Sequence, residues 1–208
     1  MTVTVTQTCN IALMKLGGDL LTDIETDLIN TADTGVQKAA KMCNALFPTL
    51  RDEMLRNHPW NFAVARAQLT DSMPSPDFEF TYMFEFPDDC IRLLRIFNHN
   101  HMRFQVEGNT ILTDSETIDI VYIREMEDPT EWDPLFLEAF ATRLAAEIAY
   151  GLTGSNSLAN TLMDQHYAKT RLAKQIDAQE NYADPFTADE WVASRRSVPH
   201  TLDTYLCR

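Results

Sequence analysis

Glycine is scarce in this chain, six among 208 residues, and none of the six falls in a Gly-x-Gly-x-x-Gly or Walker-type loop. Phosphate-cradling loops need glycines so that backbone N–H groups can close on the anion, so that class of nucleotide site has no support. Gly-x-Ser-x-Gly and His-Glu-x-x-His are also missing, which leaves an enzyme without positive evidence. No apolar run is long enough to span a bilayer. Cysteine is sparse: Cys9, Cys43, Cys90 and Cys207 stand far apart with no Cys-x-x-Cys. Zinc sites take ligand pairs close in sequence, so none is expected, and free, reduced, packed thiols are. Basic residues are few, 17 Lys and Arg against 31 Asp and Glu, for a net charge of -14. Phosphate backbones are gripped by clustered Lys and Arg, so a nucleic-acid-gripping protein is disfavoured.

What is present suits one medium domain with a substantial core. The chain is 45% hydrophobic and 23% charged, ordinary values for a soluble globular protein. Its first residues, Met1 to Thr6, lack the basic start and apolar middle of a secretory signal, so synthesis and folding in the cytosol are expected.

The periodicity predicts an α+β protein: a mainly helical body, a small antiparallel β-sheet inserted in it, and an extended C-terminal arm. A short helix is expected at 8–16, with Ile11, Leu13 and Leu16 apolar and Gly17-Gly18 closing it. A loop carrying Ile24 and Leu28 follows. A long helix is expected at 32–57, because Val36, Ala39, Cys43, Phe47, Leu50 and Met54 recur at three and four residues. Pro48 inside it predicts a kink rather than a break, and His58-Pro59 predicts the stop.

From Arg66 to Arg124 the period changes to two, which marks an inserted β subdomain. Strands are expected at Phe78–Tyr82, Phe84–Phe86, Ile91–Phe97 and Thr117–Arg124, the last with Ile118, Ile120 and Tyr122 on one face. Met102–Glu107 and Thr110–Thr113 flank Gly108-Asn109, the positive-φ turn of a tight hairpin. Asp133-Pro134 opens a helix at 134–153 with Phe136, Phe140, Leu144, Ile148 and Leu152 as its stripe. Ser155 caps a last helix at 155–180, with Leu158, Leu162, Leu172 and Ile176 inward. The short turn makes the two an antiparallel hairpin, and Ala139, Ala141, Ala145, Ala146 and Ala149 permit close approach. Residues 1–180 form one domain in this reading. Residues 181–208 lose the period and read as an arm, with Phe186, Trp191 and Tyr205 as spaced anchors for a neighbour or for the same domain.

Four constellations bear on chemistry. His99-x-His101 offers two imidazoles on one strand face, but Asn98 and Asn100 suggest a turn, and no third metal ligand is near in sequence. Asp88 and Asp89 are adjacent, so on a strand they point to opposite faces and cannot share a substrate. After Pro87 they are expected to cap a turn, with Arg92 in reach of a salt bridge. Cys90 has no histidine that sequence can place beside it, so a packed thiol is expected rather than a nucleophile. His58 reads as packed at a helix end, and Trp60 and Phe62 as core anchors where the long helix meets the sheet.

The stretch from Asp52 to Phe97 joins these pieces: DEMLRNHPWNFAVARAQL, then FEFTYMFEFPDDCIRLLRIF. With Asn10-Ile11-Ala12-Leu13 and Leu16-Gly17 before it and Asp128-Pro129 ahead of the alanine-rich helices, it resembles the tail tubular protein A family. These are head-to-tail adaptors of short-tailed bacteriophages, and the likeness covers roughly residues 8 to 180. It implies a structural virion protein, made in the host cytoplasm and placed in the tail at the portal vertex. It implies a ring, expected to be twelve-fold, between the portal protein and the tail nozzle of tail tubular protein B type. Such a ring extends the DNA channel for genome retention and ejection, without specific DNA binding, membrane contact, cofactor or enzymatic activity. Trp60, Phe62, Pro87, Asp88 and Arg92 then carry structural roles. An acidic channel lining would let phosphates slide, although solubility alone also accounts for the acidity. Other readings are a head-completion or tail-terminator ring protein, and a small cytosolic hydrolase using Cys90 or the His99/His101 pair.

Overall fold

The computed structural model describes residues 3–29, 34–70, 73–97 and 103–180, and the arm at 181–208 lies outside them. The architecture is α+β, with five helices and two three-stranded antiparallel sheets among the described residues.

Helix α1 (Val5–Leu16) begins earlier than the apolar pattern indicates, because Thr4 and Gln7 form a reciprocal capping box. Gly17 ends it in the left-handed conformation (φ 68°), and Gly18 N–H donates to the Leu13 carbonyl at 3.1 Å. Asn10 then pins the following loop: its amide donates to the Leu21 carbonyl (2.9 Å) and accepts from the Leu21 N–H (2.7 Å). The segment read as a loop around Ile24 and Leu28 contains a short helix, α2 (Ile24–Ile29). Six residues are too few to show periodicity. Its start is held by the Asp27 carboxylate, which accepts from Thr22 N–H (2.8 Å) and Asp23 N–H (3.3 Å).

Helix α3 (Thr34–Asn57) runs unbroken past Pro48 and stops before His58-Pro59. It buries Ala39, Ala40, Cys43, Phe47, Leu50, Met54 and Leu55. Two details place it against its neighbours. Gly151 in the later helix leaves room for Met42, since a Cβ there would sit 2.3 Å from the Met42 methyl. Trp60, after the helix end, donates its indole N–H back to the Met54 carbonyl at 2.9 Å.

The sequence pattern suggested one inserted sheet, but there are two. The first orders β1 (Val64–Leu69), β6 (Ile118–Arg124) and β3 (Cys90–Phe97); the second orders β2 (Tyr82–Glu85), β5 (Thr110–Thr113) and β4 (Phe104–Glu107). Strand β1 begins at Val64 and was not resolved by periodicity, because Ala65 and Ala67 give a weak apolar face. The Phe78–Tyr82 strand does not form: residues 77–79 bend, and Glu79 takes φ 74°, which no strand accommodates. Phe80 is buried there instead, with the Arg103 guanidinium 5.1 Å from its ring centre. The hairpin from β4 to β5 turns at Gly108 (φ 57°), as its turn residues predict.

The first sheet is the middle layer. Ile118, Ile120 and Tyr122 share one face with Ala65, Ala67, Leu93 and Ile96, and pack on Phe84 and Ile111 of the second sheet. Its other face sends Ile123, with Ile91 and Leu94, into the helical core. Two register shifts in β3, between Cys90 and Arg92 and between Leu93 and Arg95, interrupt the alternation, so that Ile91 and Leu93, and Leu94 and Ile96, face opposite layers although two positions apart.

Helix α4 (Pro134–Thr153) is capped by Asp133, whose carboxylate accepts from Leu135 N–H (2.8 Å) and Phe136 N–H (3.2 Å). All five alanines named above are buried, and α5 (Asn156–Glu180) lies antiparallel against them. Ser155 caps α5 through Leu158 N–H at 3.2 Å. The inward stripe of α5 differs from the expected one: Leu172 and Ile176 are exposed, while His166, Ala173 and Asp177 are buried. Contact with the alanine face of α4 leaves room for small and hydrogen-bonded side chains rather than for leucines.

Glu138 ties three helices, accepting from Lys15 of α1 (2.7 Å) and Lys169 of α5 (2.6 Å). Burial alone raises its pKa, but the two lysine hydrogen bonds outweigh that and hold it below the ordinary glutamate value. A lowered carboxylate pKa contributes stability above the unfolded value and loses it as pH falls through the folded one. Urea midpoints are therefore expected to drop below pH ~4.3, and Glu138→Gln to flatten part of that drop. At the centre of the core, Phe136→Ala is expected to cost about 3–5 kcal/mol in urea unfolding.

Candidate functional site

The block from Trp60 to Arg92 forms the seam between helices and sheets. Trp60 is 1% exposed and meets the Phe136 ring edge-on at 5.0 Å, and Phe62 meets the same ring at 5.1 Å. Both anchor the chain on α4 rather than on the sheet. Trp132 repeats the arrangement, donating to the Met126 carbonyl (3.0 Å), stacking on Phe47 and meeting Phe136 and Phe140 edge-on.

Beside the aromatics sits a clamp that the sequence reading did not contain. Asp177, near the end of α5, accepts from the His58 ring (Nε2, 2.8 Å) and from the Asn61 N–H (2.9 Å). The Asn61 amide donates in turn to the Asp177 carbonyl at 2.8 Å. No local signal marks it, since Asp177 lies off the expected leucine stripe and its partners are 116 and 119 positions away.

Pro87 to Cys90 is a turn, closed by Cys90 N–H to the Pro87 carbonyl at 2.9 Å. Asp88 is exposed on it. Asp89 does the holding: its carbonyl accepts from Glu125 N–H (2.7 Å) and its carboxylate from the Tyr122 hydroxyl (3.1 Å). Arg92 forms no salt bridge with either aspartate. It donates to the Arg56 carbonyl at 2.9 Å, while Arg56 donates to the Ile91 carbonyl, which ties the end of α3 to β3. Arg51, also on α3, is buried and pairs with Glu125 just after β6.

The titratable groups near the seam are placed for structure. Burial, and next the Asp89 charge, push the Cys90 thiol up to about 11, so it stays protonated and poorly nucleophilic at neutral pH. Burial and the Asp89 hydrogen bond push the Tyr122 hydroxyl up to about 12. Cys9 and Cys43 are fully buried and adjacent in the helical core, and their contact together with burial raises the Cys9 pKa. His166 is buried against the Ala139 carbonyl (3.0 Å), and burial lowers its pKa, favouring the neutral ring. No group of three His, Cys, Asp or Glu side chains that could hold a metal occurs among the described residues. His99 and His101 lie outside them, as do Phe186, Trp191 and Tyr205.

The surface has a more definite polarity. On the helix-side face of the middle sheet, beyond the helices, Gln68, Asp119 and Phe97 stand in one cross-strand row and Arg66, Val121 and Arg95 in the next. Phe97 is 40% exposed, with the Arg95 guanidinium 4.6 Å and the Arg66 guanidinium 5.7 Å from its ring centre. Arg66, Gln68, Phe97, Asp119 and Val121 line a shallow cleft together with Ala67 and Ile120. A second cleft is lined by Asp88, Asp89, Glu125, Glu127, Asp128 and Glu131, with Arg124 and Met126.

No protein-family model matches this chain, and no curated protein matches it. Removal of the clamp tests the seam: Asp177→Ala is expected to cost about 2 kcal/mol in urea unfolding, because His58 and Asn61 lose a buried acceptor. Asp177→Asn, which keeps an acceptor oxygen, is expected to cost less.

Proposed function

We propose that this protein is a structural subunit of a short-tailed bacteriophage virion, a head-to-tail adaptor that forms a ring between the portal and the tail nozzle. The observation that supports it is the Trp60-to-Arg92 block, whose residue order resembles that of the tail tubular protein A family. In this molecule those residues are occupied with holding layers together: Trp60 and Phe62 on α4, the Pro87 turn on β6, Arg92 on the end of α3. A subunit whose distinctive residues set rigidity suits a mechanical role in a channel wall.

The layered body also suits a ring. Helices α4 and α5 make an antiparallel pair, and the second sheet packs on the middle sheet and presents an exposed outer strand, β4. Subunits in a cyclic assembly contact each other through two unlike faces. The partners in this reading are the portal protein, the nozzle protein and further copies of the chain, with DNA passing through unbound.

Sedimentation of the purified protein with portal rings of the same phage tests the reading. Co-migration at a fixed number of copies per portal ring is expected. Free protein beside unchanged portals would reject the adaptor role and favour a head-completion or tail-terminator ring.

A further inference from the structure

Helix α5 ends at Glu180, and its last turn forms one wall of a cleft against the aromatic cluster. Phe62, Trp132 and Ile176 supply the apolar lining, and the cleft encloses about 210 Å³. Small-molecule sites run from about 300 Å³ upward, so this space suits one side chain rather than a cofactor. On the rim, Asp133 and Asp177 are committed to the α4 cap and to the His58 clamp. Glu131 pairs with Arg124 at 3.1 Å. What the cleft offers an occupant is therefore chiefly apolar surface.

That surface continues out of the cleft. Leu172 and Ile176, one turn apart on the same face of α5, are 50% and 38% exposed. The chain beyond Glu180 carries a side chain that fits. Tyr182 follows too closely to double back, since reversing a chain takes about four residues. Phe186 is in reach, because the residues from Glu180 to it span at most about 20 Å and Glu180 itself borders the cleft. Pro185 disfavours helical geometry at Asp184, so the line of α5 does not carry Phe186 away. A phenyl ring also brings no polar group that needs a partner. We infer that Phe186 of the same chain seats between Phe62, Trp132 and Ile176, so that the arm beginning at Asn181 folds back over the end of α5.

The tether decides between this occupant and a second copy. Over so short a linker Phe186 stands at an effective concentration in the millimolar range, above that of any other molecule in dilute solution. Charge works against the docked arm, because Asp184, Asp189 and Glu190 share it with Phe186 and the rim holds Glu131 and Glu180. Glu131 and Glu180 are exposed, and such charges interact weakly in water, so burial of the ring outweighs them. Salt screens that repulsion and tightens the docking. The inference goes beyond the adaptor reading and does not depend on it.

Hydrogen exchange read by mass spectrometry on the full chain tests it, with Phe186→Ala, Phe186→Leu and Ile176→Ser beside the unaltered protein. Circular dichroism with urea midpoints checks that each variant is folded. Phe186→Ala is expected to speed exchange at 176–180 and 131–133 roughly threefold or more, while 104–113 keeps its rate. Phe186→Leu, which keeps an apolar side chain, is expected to retain most of the protection. Ile176→Ser is expected to speed exchange at 181–190. Each effect is expected to be the same at low and high protein concentration. Unchanged exchange at 176–180 and 131–133 in folded Phe186→Ala would overturn the inference. Protection that rises with protein concentration would overturn it too, since a second copy's arm would then fill the cleft. So would protection lost at high salt, which would mean that charge rather than the ring holds the arm.

Discussion

A buried carboxylate holds only where its hydrogen bonds are complete, and in this protein one such carboxylate, Asp177, joins the last helix to the start of the β region. It accepts from His58 and Asn61, which flank Pro59 and Trp60, at the point where α3 has stopped and β1 has not begun. With Trp60 fixed on Phe136 and on the Met54 carbonyl, the chain leaves the helical core in one direction only. The orientation of β1, and of the middle sheet built on it, follows from that exit. Arg92 with Arg56, and Arg51 with Glu125, secure the same joint from the far strand. Ion pairs and hydrogen bonds at a seam contribute modest net stability, but they select one docking of two layers over others.

The helices were legible in the sequence because their apolar spacing is strong and their punctuation is conventional. Asp133-Pro134, Gly154 and Ser155 mark the α4–α5 hairpin to within a residue. The Gly108-Asn109 turn likewise marked its hairpin. What escaped was decided either by local caps and backbone turns without a period or by contacts distant in the chain. Helix α2 depends on local carboxylate caps, without a period to reveal it. Phe78 to Tyr82 alternates as a strand does, yet the positive φ at Glu79 and the burial of Phe80 bend it away. The α5 stripe followed leucines when the alanine face of α4 selects Ala173 and Asp177. The Asp177 clamp and the grouping of Arg66 with Arg95 pair residues from separate elements, which no local spacing encodes.

Electrostatics completes the picture. The composition reads as uniformly acidic, but the fold groups Arg66 and Arg95 around Phe97 beside Asp119 at one end of the middle sheet, and a set of carboxylates around Arg124 at the other. For the adaptor role proposed above, the relevant property is the seam, whose buried hydrogen bonds select one docking of helices and sheets. Chemistry at the seam is disfavoured by the same packing, because burial and Asp89 keep the Cys90 thiol protonated.

Electron-microscope imaging of the protein mixed with portal rings of a short-tailed phage bears most directly on the proposed adaptor role. The adaptor reading predicts a closed collar of subunits, coaxial with the portal. Bare portals, or subunits scattered on the portal's flank without contact to one another, would contradict it.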